Sequence, residues 1–164
     1  MNARAVCLFF LLFCIPFVTN AQVPVTENSD HEAMLKSENP QLAKNKRLVY
    51  DMWRTLLEAR QLDQADKFMA ENYIQHNPAV PTGRAAFVDF FSRFGGGPQT
   101  LQDRLAAKLV AIVAEGDLVV LSFVREFDNP NKPGEKYTST WFDMFRIEND
   151  LVAEHWDYGQ IRPR

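Results

Sequence analysis

The first half of the chain has the hydrophobic spacing of helices. Apolar residues recur three, four and seven positions apart within residues 41–59, which predicts a long amphipathic helix. Asn39 and Pro40 precede it as an N-cap residue and a first-turn proline. A shorter helix is expected over QADKFMA, capped by Asp63, and a third over TGRAAFVDFFSRF, capped by Thr82 and ended by GGGP. The apolar positions of the first helix are Leu42, Val49, Met52, Trp53, Leu56 and Leu57.

The second half has the pattern of strands. QDRLAAKLVAIVAEGDLVVLSFVREFD predicts two strands joined by a tight EGD turn, and KYTSTWFDMFRIENDLVAEHWDYGQI predicts a second pair that turns at END. One or two shorter strands are expected earlier, one of them in ENYIQHNP, which Pro78 ends. Helices first and strands last predict an α+β domain. We expect the sheet to cover its apolar face by curling around the long helix as an open cone.

The extreme N-terminus has the pattern of a secretory signal peptide. Arg4 is followed by an apolar run of 13 residues, 6–18, and by small or polar residues before a predicted cleavage after Ala21. A transmembrane helix needs about 20 apolar residues, so the run is too short to span a membrane comfortably. A lipoprotein signal ending at Cys14 is the alternative, but the bulky Phe13 stands where a small residue is expected.

The composition of the mature chain narrows the function further. Cleavage divides the sequence into a signal peptide (1–21), a flexible arm (22–39) and one domain (40–164), and it predicts an exported protein. Both cysteines lie in the signal peptide, so the mature chain would have no disulfide or reactive thiol. Loss of Arg4 changes the net charge from −3 to −4. A mildly acidic chain without a basic cluster argues against nucleic acid and anionic membranes as partners.

The last strand carries the most suggestive pair of polar residues. His155 and Asp157 share one face, because strand side chains alternate with period two. Ala153 and Gly159 flank them on that face and leave room, so we assign this face to a cavity. Two alternatives stay open: Asp157 pairs with an arginine, or His155 bonds a backbone carbonyl at a sheet edge. On the preceding strand, one shared face mixes aromatic and polar residues, as a ligand cavity does: Tyr137, Ser139, Trp141, Asp143 and Phe145.

A second polar cluster lies in YIQHNP. His76 and Asn77 are candidates for the site, although with Gln75 they could instead satisfy backbone groups where the strand turns at Pro78. His31 lies in the arm and is expected to be solvated. Two histidines and an aspartate could bind a metal, but nothing in the spacing indicates that they converge, and we expect none. GGG lacks a phosphate-binding pattern, and no nucleophile elbow supports a serine triad.

Two blocks of the sequence resemble a known family. MWRTLLEARQLDQADKFMAENYIQHNPAVPTGRAAFVDFF and FDMFRIENDLVAEHWD are similar to the SnoaL-like polyketide cyclases of the nuclear transport factor 2-like (NTF2-like) superfamily. The resemblance covers residues 44–160. It implies a curved, mostly antiparallel sheet wrapped around a long N-terminal helix, with a deep pocket, and a homodimer formed through the outer sheet face.

The resemblance also implies roles for individual residues. Asp157 matches the general acid/base of an intramolecular aldol closure, and His155 and His76 match histidines that line the pocket. No metal or organic cofactor is implied. A carboxylate in an apolar pocket can take a proton from carbon and return it to an alkoxide, and a nearby histidine or asparagine can donate to the enolate oxygen. The candidate substrate-binding residues are Trp53, Tyr73, Asn77, Phe90 and Trp141.

Three functions are compatible with these residues. The first is an exported enzyme that acts on a small carbonyl compound by aldol, cyclase or isomerase chemistry. The second is a non-catalytic protein that binds an apolar small molecule, and the third is a domain that pairs with other chains through its sheet. Polyketide cyclases work in the cytoplasm, so the predicted export leaves the substrate open.

Overall fold

A computed structural model describes residues 23–159, in which a helical first half precedes a sheet. The predicted signal peptide lies outside these residues, so cleavage and export stay predictions. The side chain of Asn39 caps the long helix by accepting from the N–H groups of Gln41 and Leu42. No helix within the described range is long and apolar enough to cross a membrane. The helices are α1 (His31–Leu35), α2 (Pro40–Met52), which continues as a π-helical segment (Trp53–Glu58), a 3₁₀ helix (Leu62–Lys67) and α3 (Arg84–Ser92).

Two short helices differ from the sequence prediction. The second is a 3₁₀ turn that ends at Lys67, because Met69 already begins a strand. The third begins at Arg84 without a side-chain cap. Thr82, predicted to be that cap, instead accepts a hydrogen bond from the backbone N–H of Gln75 at 3.2 Å. Thr82 therefore ties the helix approach to the sheet.

Five strands form one sheet in the order β1-β5-β4-β3-β2. The last four are an antiparallel meander, whereas β1 pairs with β5 in parallel. The predicted α+β class and the mostly antiparallel curved sheet are confirmed. The parallel pairing matters for the site, because it sets YIQHNP beside the last strand. The strands are β1 (Met69–Gln75), β2 (Leu109–Glu115), β3 (Leu118–Asp128), β4 (Lys136–Glu148) and β5 (Leu151–Asp157).

The long helix packs against the concave face of the sheet and forms the core with it. Val49 and Leu56 are almost fully buried. The ring of Trp53 lies 4.6 Å from that of Phe123 on β3 and 6.4 Å from that of Phe145 on β4, measured between centroids. Burying such large side chains is the main favourable contribution to folding. The C-terminal part of the helix therefore packs against β3 and β4.

The N-terminal arm buries His31 against the domain, so the prediction that His31 is solvated is wrong, whereas the flexibility of the arm stays a prediction. His31 is only 5% exposed. Its Nδ1 lies 2.9 Å from the hydroxyl of Tyr50. The N–H of Asn28 donates to a carbonyl at the start of β2 at 2.8 Å. The ammonium of Lys46 donates to two carbonyls at the end of α1. These bonds satisfy polar groups that a solvated arm would leave to water.

Candidate active site

The inner face of β4 and β5 carries three polar side chains that meet. Antiparallel pairing sets Asp143 opposite Asp157 and Phe145 opposite His155. Asp143 and His155 are buried, with 2% and 8% of their surface exposed. Asp157 is half-buried. This is the face that the alternation of β5 assigned to a cavity.

A cavity of about 360 Å³ opens on this face between the helices and the sheet. Its volume is in the range of small-molecule sites, which are mostly apolar with a few polar groups. Trp53, Tyr73 and Trp141 line it, as predicted from the sequence. The other apolar walls come from α2, its π-helical extension, β1, α3 and the segment that follows it: Met52, Leu56, Leu57, Met69, Phe87, Phe91 and Phe94.

Hydrogen bonds indicate which ring nitrogen of His155 carries the hydrogen. Its Nδ1 lies 2.9 Å from the amide nitrogen of Gln75 and 3.1 Å from the hydroxyl of Tyr73. The amide of Gln75 is oriented because its oxygen accepts the backbone N–H of Asn77 at 3.0 Å. An amide nitrogen only donates, so Nδ1 accepts. The hydrogen of the neutral ring is therefore on Nε2, which lies 3.1 Å from a carboxylate oxygen of Asp143 and donates to it.

Tyr73 is a neutral hydrogen-bond donor in this network. It is 1% exposed. Burial raises the pKa of Tyr73, and the nearby charges of Asp157 and Asp143 raise it further. Its oxygen accepts from the amide of Gln75 at 3.0 Å. Because Gln75 can also supply the hydrogen that Nδ1 of His155 accepts, the O–H of Tyr73 is available to a ligand in the cavity.

Asp157 combines one anchored and one unpartnered oxygen. Its Oδ2 accepts from the side-chain amide of Asn77 at 2.9 Å. Its Oδ1 is buried and has no hydrogen-bond partner among residues 23–159, and the same is true of Oδ2 of Asp143. The alternative in which an arginine pairs with Asp157 is therefore not what the structure shows. Gly159 makes room for Asn77, since a Cβ there would lie 2.0 Å from its Oδ1.

The same residues are those that could hold a metal ion. Asp143, His155 and Asp157 each offer one ligand atom, and these atoms lie within 4.8 Å of one another. Both ring nitrogens of His155 are engaged, however, one as a donor to Asp143 and one as an acceptor. Coordination through His155 would break one of these bonds. The hydrogen bonding fits an acid/base site better, and the absence of a cofactor stays a prediction.

Two predicted pocket residues lie elsewhere. His76 was expected in the cavity, but it faces outward, 2.9 Å from Glu154 and stacked on Trp156. The reason is the register of β1, which pairs Gln75 with His155 and gives Gln75 the inner position. Phe90 was expected in the wall, but α3 turns its neighbours toward the cavity, and Phe90 packs edge-on against Phe91.

Sequence reasoning missed four residues of the site. Gln75 was treated only as a backbone-satisfying group, and Asp143 only as one member of a mixed face. A signal for Asp143 was present, because it is a lone carboxylate between aromatic residues on a face that also carries Trp141. Arg60 and Arg125 also line the cavity. No pattern in the sequence marked them, since the end of a helix and the exposed end of a strand commonly carry arginine.

Comparisons with known proteins agree with this architecture. Similar folds include an LEH-like epoxide hydrolase from M. tuberculosis (16% identity, 73% of this chain and 84% of that one, TM-score 0.51) and a candidate polyketide cyclase from Acidithiobacillus ferrooxidans (18%, 75% and 90%, 0.50). A candidate SnoaL-like polyketide cyclase from a Jannaschia species matches similarly (18%, 73% and 88%, 0.50). No curated protein is similar enough in sequence to count as a match. The family model for the SnoaL-like domain matches residues 49–155, more than half of the chain, so the chain belongs to the SnoaL-like domain family.

Proposed function

We propose that this protein is an exported SnoaL-like enzyme that performs acid/base chemistry on a small carbonyl compound. The observation that carries the proposal is Oδ1 of Asp157, a buried carboxylate oxygen without a partner. It belongs to a residue of the cavity wall, beside the neutral donor Tyr73. Buried polar atoms are normally bonded, so an unbonded carboxylate oxygen at a cavity calls for a ligand proton.

The proposed reaction begins with proton abstraction next to a carbonyl group. Oδ1 of Asp157 takes the proton, the C–H electron pair moves into the carbonyl, and negative charge develops on the carbonyl oxygen. The O–H of Tyr73 donates to that oxygen. In an aldol closure the enolate carbon attacks a second carbonyl, and Asp157 returns its proton to the new alkoxide. In an isomerisation the proton returns to a different carbon.

His155 serves as a positioning residue in this scheme. Its ring joins Asp143 to the Tyr73–Gln75 pair and is held flat against Phe145, with centroids 4.2 Å apart. Because both nitrogens already have partners, His155 does not donate to the substrate; it orients the amide of Gln75, which in turn donates to the oxygen of Tyr73. The side-chain amide of Asn77 likewise orients Asp157 by donating to its Oδ2. His76 has no part in the reaction.

The test uses proton exchange, because it does not require the natural substrate. A panel of small cyclic and aromatic 1,3-dicarbonyl compounds is incubated with the mature protein in D₂O, and loss of the α-proton signal is followed by NMR. We expect faster exchange with at least one compound. Asp157→Asn should reduce that rate by about 100-fold or more, the usual contribution of a general base. The control is Glu154→Gln, which changes a carboxylate on the opposite face of the same strand.

A binding protein without catalysis is the second candidate, and the mainly apolar wall of the cavity favours it. The similar folds carry names of cyclases and of an epoxide hydrolase, which is compatible with catalysis but does not choose a reaction. Full exchange activity in Asp157→Asn would refute the enzyme. Tight binding without exchange by the unaltered protein would favour the binder. Homodimer formation and release after signal cleavage stay predictions.

A further inference from the structure

The cavity wall also contains two cations. Arg60 follows the π-helical segment by two residues, and Arg125 lies in the C-terminal half of β3. Neither has a carboxylate within 4.0 Å in the part of the chain that the structure describes. Most other described arginines do form ion pairs, as Arg47 does with Glu32 and Arg93 with Asp89. A mildly acidic protein has thus left two cavity arginines without counter-charges.

The strand register separates Arg125 from the acidic end of the cavity. Arg125 is paired with Ser139 on β4, whereas Leu121 is paired with Asp143. Ser139 and Asp143 are four positions apart on β4, so the two levels are separated by about 13 Å at the usual rise of a strand. Arg125 and the carboxylates of Asp143 and Asp157 therefore belong to different levels of the cavity wall.

Contacts hold both guanidinium groups in place. That of Arg125 lies over the ring of Trp141, 5.3 Å from its centroid. This cation–π contact presents a flat cation beside a cavity wall. One terminal nitrogen of Arg60 donates to the carbonyl of Phe91 at 2.6 Å. Its Nε is buried and has no acceptor among residues 23–159. The other terminal nitrogen of Arg60 makes no hydrogen bond within residues 23–159 and is the donor left for an anionic ligand.

We infer that Arg60 and Arg125 form an anion subsite, and that the ligand of this cavity is a carboxylate with an apolar body. The planar donor fork of arginine matches a carboxylate. The body lies along the aromatic walls, and its far end reaches Asp157 and Tyr73. The anion thereby fixes which end of the ligand meets the acid/base pair. That the far end carries a reacting carbonyl group rests on the proposed function, whereas the anion subsite does not.

The test compares two ligands that differ only in charge. Binding of 2-naphthylacetate and of the neutral 2-naphthylacetamide to the mature protein is measured by calorimetry. We expect the carboxylate to bind at least about tenfold more tightly, since a hydrogen bond to a charged group contributes about 1.5 kcal/mol or more. Arg60→Gln and Arg125→Gln should each reduce this ratio, and the double variant should bring it close to one. Arg125→Lys, which keeps the charge, should retain part of it.

Controls separate this inference from the proposed function. Arg93→Gln removes an exposed arginine that does not line the cavity and should leave the ratio unchanged. Asp157→Asn should abolish proton exchange and keep the preference for the carboxylate. A ratio near one in the unaltered protein, an unchanged ratio in the double arginine variant, or no binding of the carboxylate at millimolar concentration would each overturn the subsite. If the preference for the carboxylate depends on the two arginines but the unaltered protein catalyses no proton exchange, the anion subsite is supported and the proposed enzymatic function is contradicted.

Discussion

The last strand takes part in two histidine–carboxylate pairs, one on each face of the sheet. On the inner face, His155 of β5 donates to Asp143 at 3.1 Å, and the two side chains are 10% and 3% exposed. On the outer face, His76 lies 2.9 Å from Glu154, and the side chains are 40% and 21% exposed. Each imidazole is stacked on an aromatic ring, that of Phe145 inside and that of Trp156 outside. The residue types and distances are nearly the same, so only the surroundings differ.

The difference teaches that burial and the remaining partners decide what such a pair can do. Water reaches the outer pair, and Glu154 also lies 3.1 Å from Arg146, so each charge there is screened or shared. The inner pair is almost fully buried, and the amide of Gln75 occupies the second nitrogen of His155. A change on the inner face must therefore disturb several groups. A change on the outer face is compensated by solvent.

Replacing each histidine with alanine should reveal the largest difference between the two pairs. His155→Ala leaves a carboxylate oxygen of Asp143 buried without its donor, and we expect it to lower the free energy of unfolding by about 3 kcal/mol. His76→Ala should lower it by less than about 1 kcal/mol, because an exposed pair contributes little. Urea unfolding of the two variants, followed by circular dichroism, measures the difference. Equal losses in the two variants would mean that burial does not distinguish the pairs.

The substitution Gly159→Ala adds one methyl group that affects only the inner face, so it tests the inner pair and its neighbours without changing the outer pair. The Cβ of Gly159→Ala would overlap the side chain of Asn77, which must move away from Asp157. We expect the exchange rate to fall about tenfold and the free energy of unfolding to fall by about 1 kcal/mol, as for one lost hydrogen bond. Kinetics on the dicarbonyl panel and urea unfolding give the two values.

A double variant provides the control for Gly159. The three atoms nearest to the added Cβ all belong to the side chain of Asn77. In an Asn77→Ala background the same methyl group should therefore have little further effect, and the two changes should not be additive. Additive losses would show that Gly159 matters for a reason other than room for Asn77.

The sequence predicted the fold better than the site, for reasons visible in single residues. The periodicity of apolar residues predicted the long helix, the antiparallel meander and the inner face of His155 and Asp157. Each of these depends on the local spacing of residues along the chain. It could not give the outward position of His76, which follows from the parallel register of β1 beside β5. It also could not show that Tyr73 acts as a donor or that Nδ1 of His155 acts as an acceptor. Both roles depend on the orientation of the Gln75 side-chain amide, which the backbone N–H of Asn77 fixes.

A third histidine extends the comparison to the N-terminal arm, where the expected effect is smallest. The N–H of Leu105 donates to the oxygen of Tyr50 at 3.0 Å, so the Tyr50 hydrogen is directed to Nδ1 of His31. Protonation of that nitrogen would remove the acceptor. Burial lowers the pKa of His31, and the charge of Arg104 lowers it further. The folded protein therefore resists a proton that the unfolded chain accepts below about pH 6.5.

The contribution of neutral His31 to the free energy of unfolding should be complete above pH 6.5 and should be lost as the pH falls toward the lowered pKa of His31. Between these two pH values only the unfolded state gains the proton. The slope contributed by one such group is at most about 1.4 kcal/mol per pH unit. Urea unfolding between pH 7.5 and pH 5 should show a shallower decline in His31→Gln than in the unaltered chain. If His31→Gln and the unaltered chain lose stability in parallel, other groups are responsible for the acid sensitivity, and the buried arm does not couple to pH through His31.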